Sequence, residues 1–143
     1  MNEENGVRFL LGDKNEAAGW DMLRQSCPRL YKHGVAFECG PGWYNILHDL
    51  SIKIEAFLDK YAETYKVIEG EESEYCEIYA VQVKEKYGTL RFYMSCETDE
   101  ISELIHECEA LSSQTCEKCG DLAKMRGKTW ISVRCEKCHK ENK

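Results

Sequence analysis

No stretch of the sequence approaches the roughly eighteen uninterrupted apolar residues that a membrane-spanning helix needs, so a helical membrane protein is excluded. The first residues, Met-Asn-Glu-Glu-Asn, are acidic and lack the basic-then-apolar layout of a secretion signal. Missing too are a phosphate loop, a dinucleotide fingerprint and a histidine–carboxylate metal motif. Two groupings could pass for a nucleophile and its base: Cys39 with His48 and Asp49, and His106 with Glu107 and Cys108. Neither matches a nucleophile motif, and residues 106 to 108 are too close along a helix to face one another. The expectation is a protein that is not an enzyme.

What the chain does have is enough apolar content, 43% over 143 residues, for one compact domain or one domain with a small metal-held appendage. It also has nine cysteines, an odd number, and they are unevenly placed. Cys116-Glu-Lys-Cys119-Gly120 and Cys135-Glu-Lys-Cys138 form two Cys-x-x-Cys pairs with fifteen residues between Cys119 and Cys135. That separation matches a structural zinc site. Each pair can fold into a tight turn that aims both sulfurs inward, and a short hairpin brings the turns together. Gly120 suits the first turn because backbone amides curling around a sulfur often need a residue with positive φ. The expected ribbon turns at Lys124-Met-Arg-Gly127 and returns along Thr129-Trp130-Ile131-Ser-Val133. Two disulfides or four unrelated thiols are the bland alternative. One Zn2+ held by Cys116, Cys119, Cys135 and Cys138 would have no vertex left for water, so it would hold structure and do no chemistry. Such ligands, with so many other thiols, point to a reducing compartment such as the cytoplasm.

Charge divides the chain at the same place. From Cys116 to Lys143, eight Lys or Arg face four Asp or Glu, a net +4, which leaves −11 for residues 1–115 out of the total of −7. Four thiolates on one divalent ion would bring the ribbon to about +2. The reading is therefore an acidic body, 1–115, and a weakly basic zinc ribbon with a short tail, 116–143. An acidic body favours basic protein partners over general adhesion to phosphates. On the ribbon, Lys124, Arg126, Lys128, Trp130 and Arg134 are the candidate contacts to nucleic acid or to a protein partner. Nothing calls for a membrane partner, and the sequence leaves the oligomeric state open, a homodimer included.

Within the body, Val7 to Leu11 reads as a short strand or docking tail. Asp13 or Asn15 caps a helix to about Gln25, with Trp20 and Leu23 facing inward and Pro28 ending it. Cys27, His33 and Cys39, with five residues between each neighbouring pair, could hold a second metal; small buried residues with a surface histidine are the favoured reading. Pro41 suits the first turn of the longest periodic element, whose stripe is Ile46, Leu47, Leu50, Ile54, Phe57, Leu58, Tyr61 and Tyr65. Trp43 at its head reads as a core aromatic. Gly70 to Glu74 is an acidic loop. Tyr75–Val83 and Thr89–Met94 read as strands of a hairpin joined by Lys84-Glu-Lys-Tyr-Gly88, with Tyr79, Val81 and Val83 on one face. Lys84, Lys86 and Arg91 would point outward as edge charges. Thr98 or Asp99 caps a last helix with the stripe Ile101, Leu104, Ile105, Cys108 and Leu111 and a solvated His106. It runs into Cys116 with no Gly/Ser linker. The fold class is α+β: amphipathic helices packed on an antiparallel β-hairpin, followed by a C-terminal zinc ribbon with four cysteine ligands.

Three stretches together resemble a known group. They are Phe37-Glu-Cys-Gly-Pro-Gly-Trp-Tyr-Asn-Ile-Leu47, Val83-Lys-Glu-Lys-Tyr-Gly-Thr-Leu-Arg-Phe-Tyr93, and the double Cys-x-x-Cys tail with Trp130. They are similar to small uncharacterised bacteriophage and prophage zinc-ribbon proteins over roughly residues 27 to 138. The resemblance implies a viral accessory protein in a bacterial cytoplasm and no particular reaction. By analogy with other small phage proteins, it would bind, and inhibit, a host protein such as a defence factor.

Overall fold

The computed structural model describes residues 14–68 and 77–141. The expectations for Val7 to Leu11, for the Asp13 cap, for the Gly70–Glu74 loop and for a strand start at Tyr75 lie outside these residues. Helix α1 (Lys14–Ser26) buries Trp20 and Leu23, one helical step apart, against the core. It stops at Ser26 because Cys27 precedes Pro28, whose ring disfavours helical geometry in the residue before it. A short strand, β1 (Phe37–Glu38), leads to a 3-10 turn at Pro41–Trp43 and then to α2 (Tyr44–Ile68).

The 25 residues of α2 are the spine of the body. Leu47, Leu50, Ile54 and Leu58 recur at three- and four-residue steps, and all are buried. On the same helix Ser51 is fully buried, where its Oγ meets the Tyr31 hydroxyl at 2.6 Å. Burial holds the Tyr31 phenol protonated by raising its pKa. Glu55, one turn on, grips the turn after α1. Its two carboxylate oxygens accept from the backbone N–H of Arg29 at 3.1 Å and of Leu30 at 2.9 Å.

Opposite α2 lies a three-stranded sheet in the order β1-β2-β3, with β2 (Ala80–Lys86) and β3 (Thr89–Met94) as its antiparallel hairpin. β1 adds to β2 in parallel, pairing Phe37 with Val83 and Glu38 with Lys84. The hairpin closes through only two residues, Tyr87 (φ 53°) and Gly88 (φ 84°), the positive-φ pair of a type I′ turn. β2 therefore runs on through Lys84–Lys86, which the residue pattern alone assigns to the connection. A register shift between Ala80 and Gln82 also changes the face expected for Val81. Ile78 and Ala80 point inward before the bulge and Val83 after it, while Val81 is exposed. An extra residue at a bulge resets the alternation of the strand, so Val81 does not share a face with Val83.

Helix α3 (Asp99–Ser112) starts as expected, with Thr98 Oγ1 accepting from the Ile101 N–H. Ile101, Ile105 and Cys108 are buried, but Leu111 is exposed and Ser112 takes the inward position at the end of the stripe. The reason is β3. Its outer edge presents the N–H groups of Leu90 and Phe92 towards α3, where Ser112 Oγ accepts from Leu90 at 2.9 Å and Glu109 Oε2 from Phe92 at 3.2 Å. Polar side chains are needed at this end of the helix because a strand edge with unmet donors packs there.

The chain then forms a second, smaller unit: strands β4 (Lys124–Arg126) and β5 (Ser132–Arg134), paired antiparallel, and helix α4 (Glu136–Glu141). The fold is α+β with a C-terminal cysteine cluster. Replacing Ser112 by Ala leaves the buried Leu90 donor without an acceptor. The Ser112→Ala variant should unfold at lower urea, losing about 1–3 kcal/mol; an unchanged midpoint would show that the edge contact carries no weight.

Candidate metal centre

The two Cys-x-x-Cys pairs reach the same point by different routes. The first is a tight turn: Gly120 N–H donates to the Cys116 carbonyl at 2.9 Å, and Gly120 sits at φ 89°, the conformation the sequence calls for. The second is the start of a helix, with Cys135 just before α4 and Cys138 in its first turn, where the Cys138 N–H lies 3.4 Å from the Cys135 sulfur. The four Sγ atoms lie within 4.8 Å of one another, and Cys119 and Cys135 approach to 3.5 Å. Cys116, Cys135 and Cys138 are buried and Cys119 is half-buried. Four cysteines so placed can hold one metal ion.

The electrostatics suit a cation. Burial pushes the Cys116 thiol up, yet backbone N–H bonds from Cys135, Cys119 and Lys118 outweigh it and bring the pKa down to about 7. Burial raises Cys119, and it raises Cys138 to about 11. A divalent ion at the centre would favour all four thiolates and offset their mutual repulsion.

What seats this centre on the body is the Gly40-Pro-Gly-Trp43 turn. The Gly42 N–H donates to the Glu117 carbonyl at 2.7 Å, the Gly40 N–H to Glu117 Oε2 at 2.8 Å, and the Trp43 indole N–H to the Thr115 carbonyl at 2.8 Å. A Cβ at Gly42 would stand 2.1 Å from the Cys116 oxygen, and one at Gly40 would stand 2.4 Å from the Glu117 oxygen. Both glycines are needed because backbone meets backbone. Trp43 is a fully buried core aromatic, as expected, and also a hydrogen-bonded anchor of the ribbon. Burial raises the Glu117 pKa, opposed by the Gly40 N–H; Glu85 adds to the rise and Arg134 counters it. From sequence alone Gly40 and Gly42 read as part of a turn cluster ahead of the helix that Pro41 starts. Two glycines around one proline are the available signal of a close approach.

A second contact joins the hairpin turn of the body to the ribbon: a Cβ at Gly88 would lie 2.9 Å from Ile131 Cγ2 and 3.3 Å from Met125 Cε. The ribbon itself departs from expectation. Lys124–Arg126 is strand, not turn, and the connection is Gly127–Ile131, so Trp130 leaves the strand for the tip and is 82% exposed. Lys124 and Lys128 are exposed too. Arg126 is turned inward, bonding the Arg134 carbonyl at 2.9 Å and Glu136 at 3.3 Å. Arg134 is half-buried, its Nε enclosed without a hydrogen-bond partner. Of the five candidate contact residues, Lys124, Lys128 and Trp130 are therefore open to a partner.

Cys27, His33 and Cys39 do not gather, and the four-cysteine group is the one metal-competent cluster among the described residues. Cys27 is fully buried and its thiol is pushed up to about 12 by burial, while His33 is exposed beside Glu77 and Tyr79. Cys108 is a packed thiol donating to the Ile46 carbonyl, raised likewise to about 12. Cys96 is disulfide-bonded, a pairing that nothing in the cysteine spacing announces.

Gly42→Ala should push the first cysteine turn off its seat, at a cost of about 1–3 kcal/mol. Amides 116–120 should then exchange hydrogen faster, and exchange as slow as in the parent chain would contradict the seat. The chain matches no family model, no curated protein and no solved structure.

Proposed function

We propose that the protein is a non-catalytic interaction protein held together by one structural zinc ion. The observation that carries this reading is the gathering of four sulfurs within 4.8 Å on a unit with little else to fold around. Tetrahedral zinc, with Zn–S about 2.3 Å, sets sulfurs about 3.8 Å apart. All-sulfur tetrahedral sets also take iron, so the metal has to be measured. Four protein ligands leave no vertex for a reactant, and the remaining buried thiols, Cys27 and Cys108, are protonated and poor nucleophiles.

The phage resemblance extends this reading to an accessory protein of a bacteriophage in the host cytoplasm, acting on a host protein such as a defence factor. None of the described helices is long and apolar enough to cross a membrane. Thiolate ligands favour a reducing compartment, and the Cys96 disulfide pulls the other way. The exposure of Lys124, Lys128 and Trp130 supports a second reading, in which the ribbon contacts nucleic acid.

Elemental analysis should find one zinc per chain. A chelator, or Cys119→Ser, should strip hydrogen-exchange protection from residues 116–138 and make the cluster thiols open to alkylation. Cys27 and Cys108 should stay unreacted and most of the helical circular dichroism should persist, because α1, α2 and α3 belong to the separate body core. The metal should contribute on the order of 10 kcal/mol to ordering the ribbon. A metal-free native protein, or a melting curve indifferent to both treatments, would overturn the proposal.

A further inference from the structure

Two exposed aromatic residues flank the contact between body and ribbon. Trp130 directly precedes Ile131, Tyr87 directly precedes Gly88, and Gly88 is the residue pressed against Ile131 and Met125. Trp130 is 82% and Tyr87 66% exposed. Each stands next to or near a lysine: Lys128 shares the tip loop with Trp130, and the Lys86 ammonium lies 5.7 Å from the centre of the Tyr87 ring. Both lysines are exposed.

Tyr87 is in the left-handed region, which glycine and asparagine occupy with less strain than a bulky residue. A tyrosine there works against the hairpin, and its ring is not buried in return. Its side chain is best explained by something outside the fold. Flat rings beside lysines suit a ligand that offers flat bases and phosphates together. Residues 1–115 sum to −11 and residues 116–143 to +4, so a polyanion is favoured at the ribbon end of the chain.

We infer that Tyr87 and Trp130, with Lys86 and Lys128, form a stacking platform for a short segment of single-stranded nucleic acid. The inference rests on the zinc-stabilised interaction reading, because the ribbon must be folded to set Trp130 beside the hairpin turn. Contact is local: a few nucleotides stack, and few phosphates are neutralised.

The test uses the full metal-loaded chain and a labelled oligothymidylate of about a dozen nucleotides, with affinity read by anisotropy. Trp20 and Trp43 are buried, so quenching of the red-edge tryptophan emission reports on Trp130. Saturable binding with that quenching is expected, with a slope of log affinity against log salt of roughly −1.4 to −2.1, for two or three phosphates. Trp130→Ala should weaken binding about tenfold or more. Tyr87→Asn separates recognition from folding: it should keep or raise the melting temperature and still lose about tenfold in affinity. No binding at low salt, binding that leaves Trp130 emission unchanged, or indifference to both variants would overturn the inference. So would equal competition by poly-glutamate, which would mark the face as a site for an acidic protein. Zinc measured in the same sample tells the two failures apart: one zinc per chain without binding removes the platform alone, and a metal-free chain removes the reading beneath it.

Discussion

The carbonyl of Cys116 comes so near Gly42 that no side chain could stand between them, and the layout of the molecule follows from that approach. Three hydrogen bonds cross it, from Gly40, Gly42 and Trp43 to residues 115–117. Each satisfies a polar group that burial would otherwise strand. The first cysteine turn is therefore part of the floor on which α2 begins. A metal ion drawing Cys116 and Cys119 together would stiffen the same backbone that Gly42 and Trp43 lean on. Zinc binding, if it orders the ribbon, should be felt at the head of the longest helix as well.

How the thiols are divided follows the same logic. Cys27 and Cys108 sit where burial keeps them protonated, as small apolar side chains in the body core. Cys116 is buried as well, but backbone N–H groups aim at its sulfur and reverse the effect of burial. Burial alone does not separate structural from ligating cysteines here: it raises Cys119 and Cys138 as it raises Cys27 and Cys108, and at Cys116 the nearby amides reverse it. A turn delivers such amides and a helix interior does not, because its amides are spent on its own carbonyls.

Much of this was legible in the residue pattern. The cysteine pairs, the α2 stripe from Leu47 to Leu58, the Thr98 cap and the Thr89–Met94 strand follow from local rules of period and capping, and the structure has them where those rules put them, while the Tyr65 side chain lies outside the described residues. The departures depend on which backbone groups pair, and the residue pattern does not carry that. Val81 faces out because of a bulge, Leu111 yields its place to Ser112 because a strand edge needs an acceptor, and Trp130 leaves its strand because β4 and β5 are only three residues each. Arg126 and Arg134 look like surface charges in a count, since counting takes no account of the carbonyl and carboxylates nearby. The seat at Gly40–Trp43 is the feature the residue pattern shows least: a tight backbone crossing leaves glycines on one stretch and no mark of which stretch it crosses.

The sealed edge of β3 has one more consequence. Ser112 and Glu109 occupy the donors a neighbouring strand would use, and the opposite edge is β1, two residues long. A second chain has little to pair with on either side, so the sheet is a poor template for fibrils or strand exchange. Among the described residues, self-association is left to the helical faces or the ribbon.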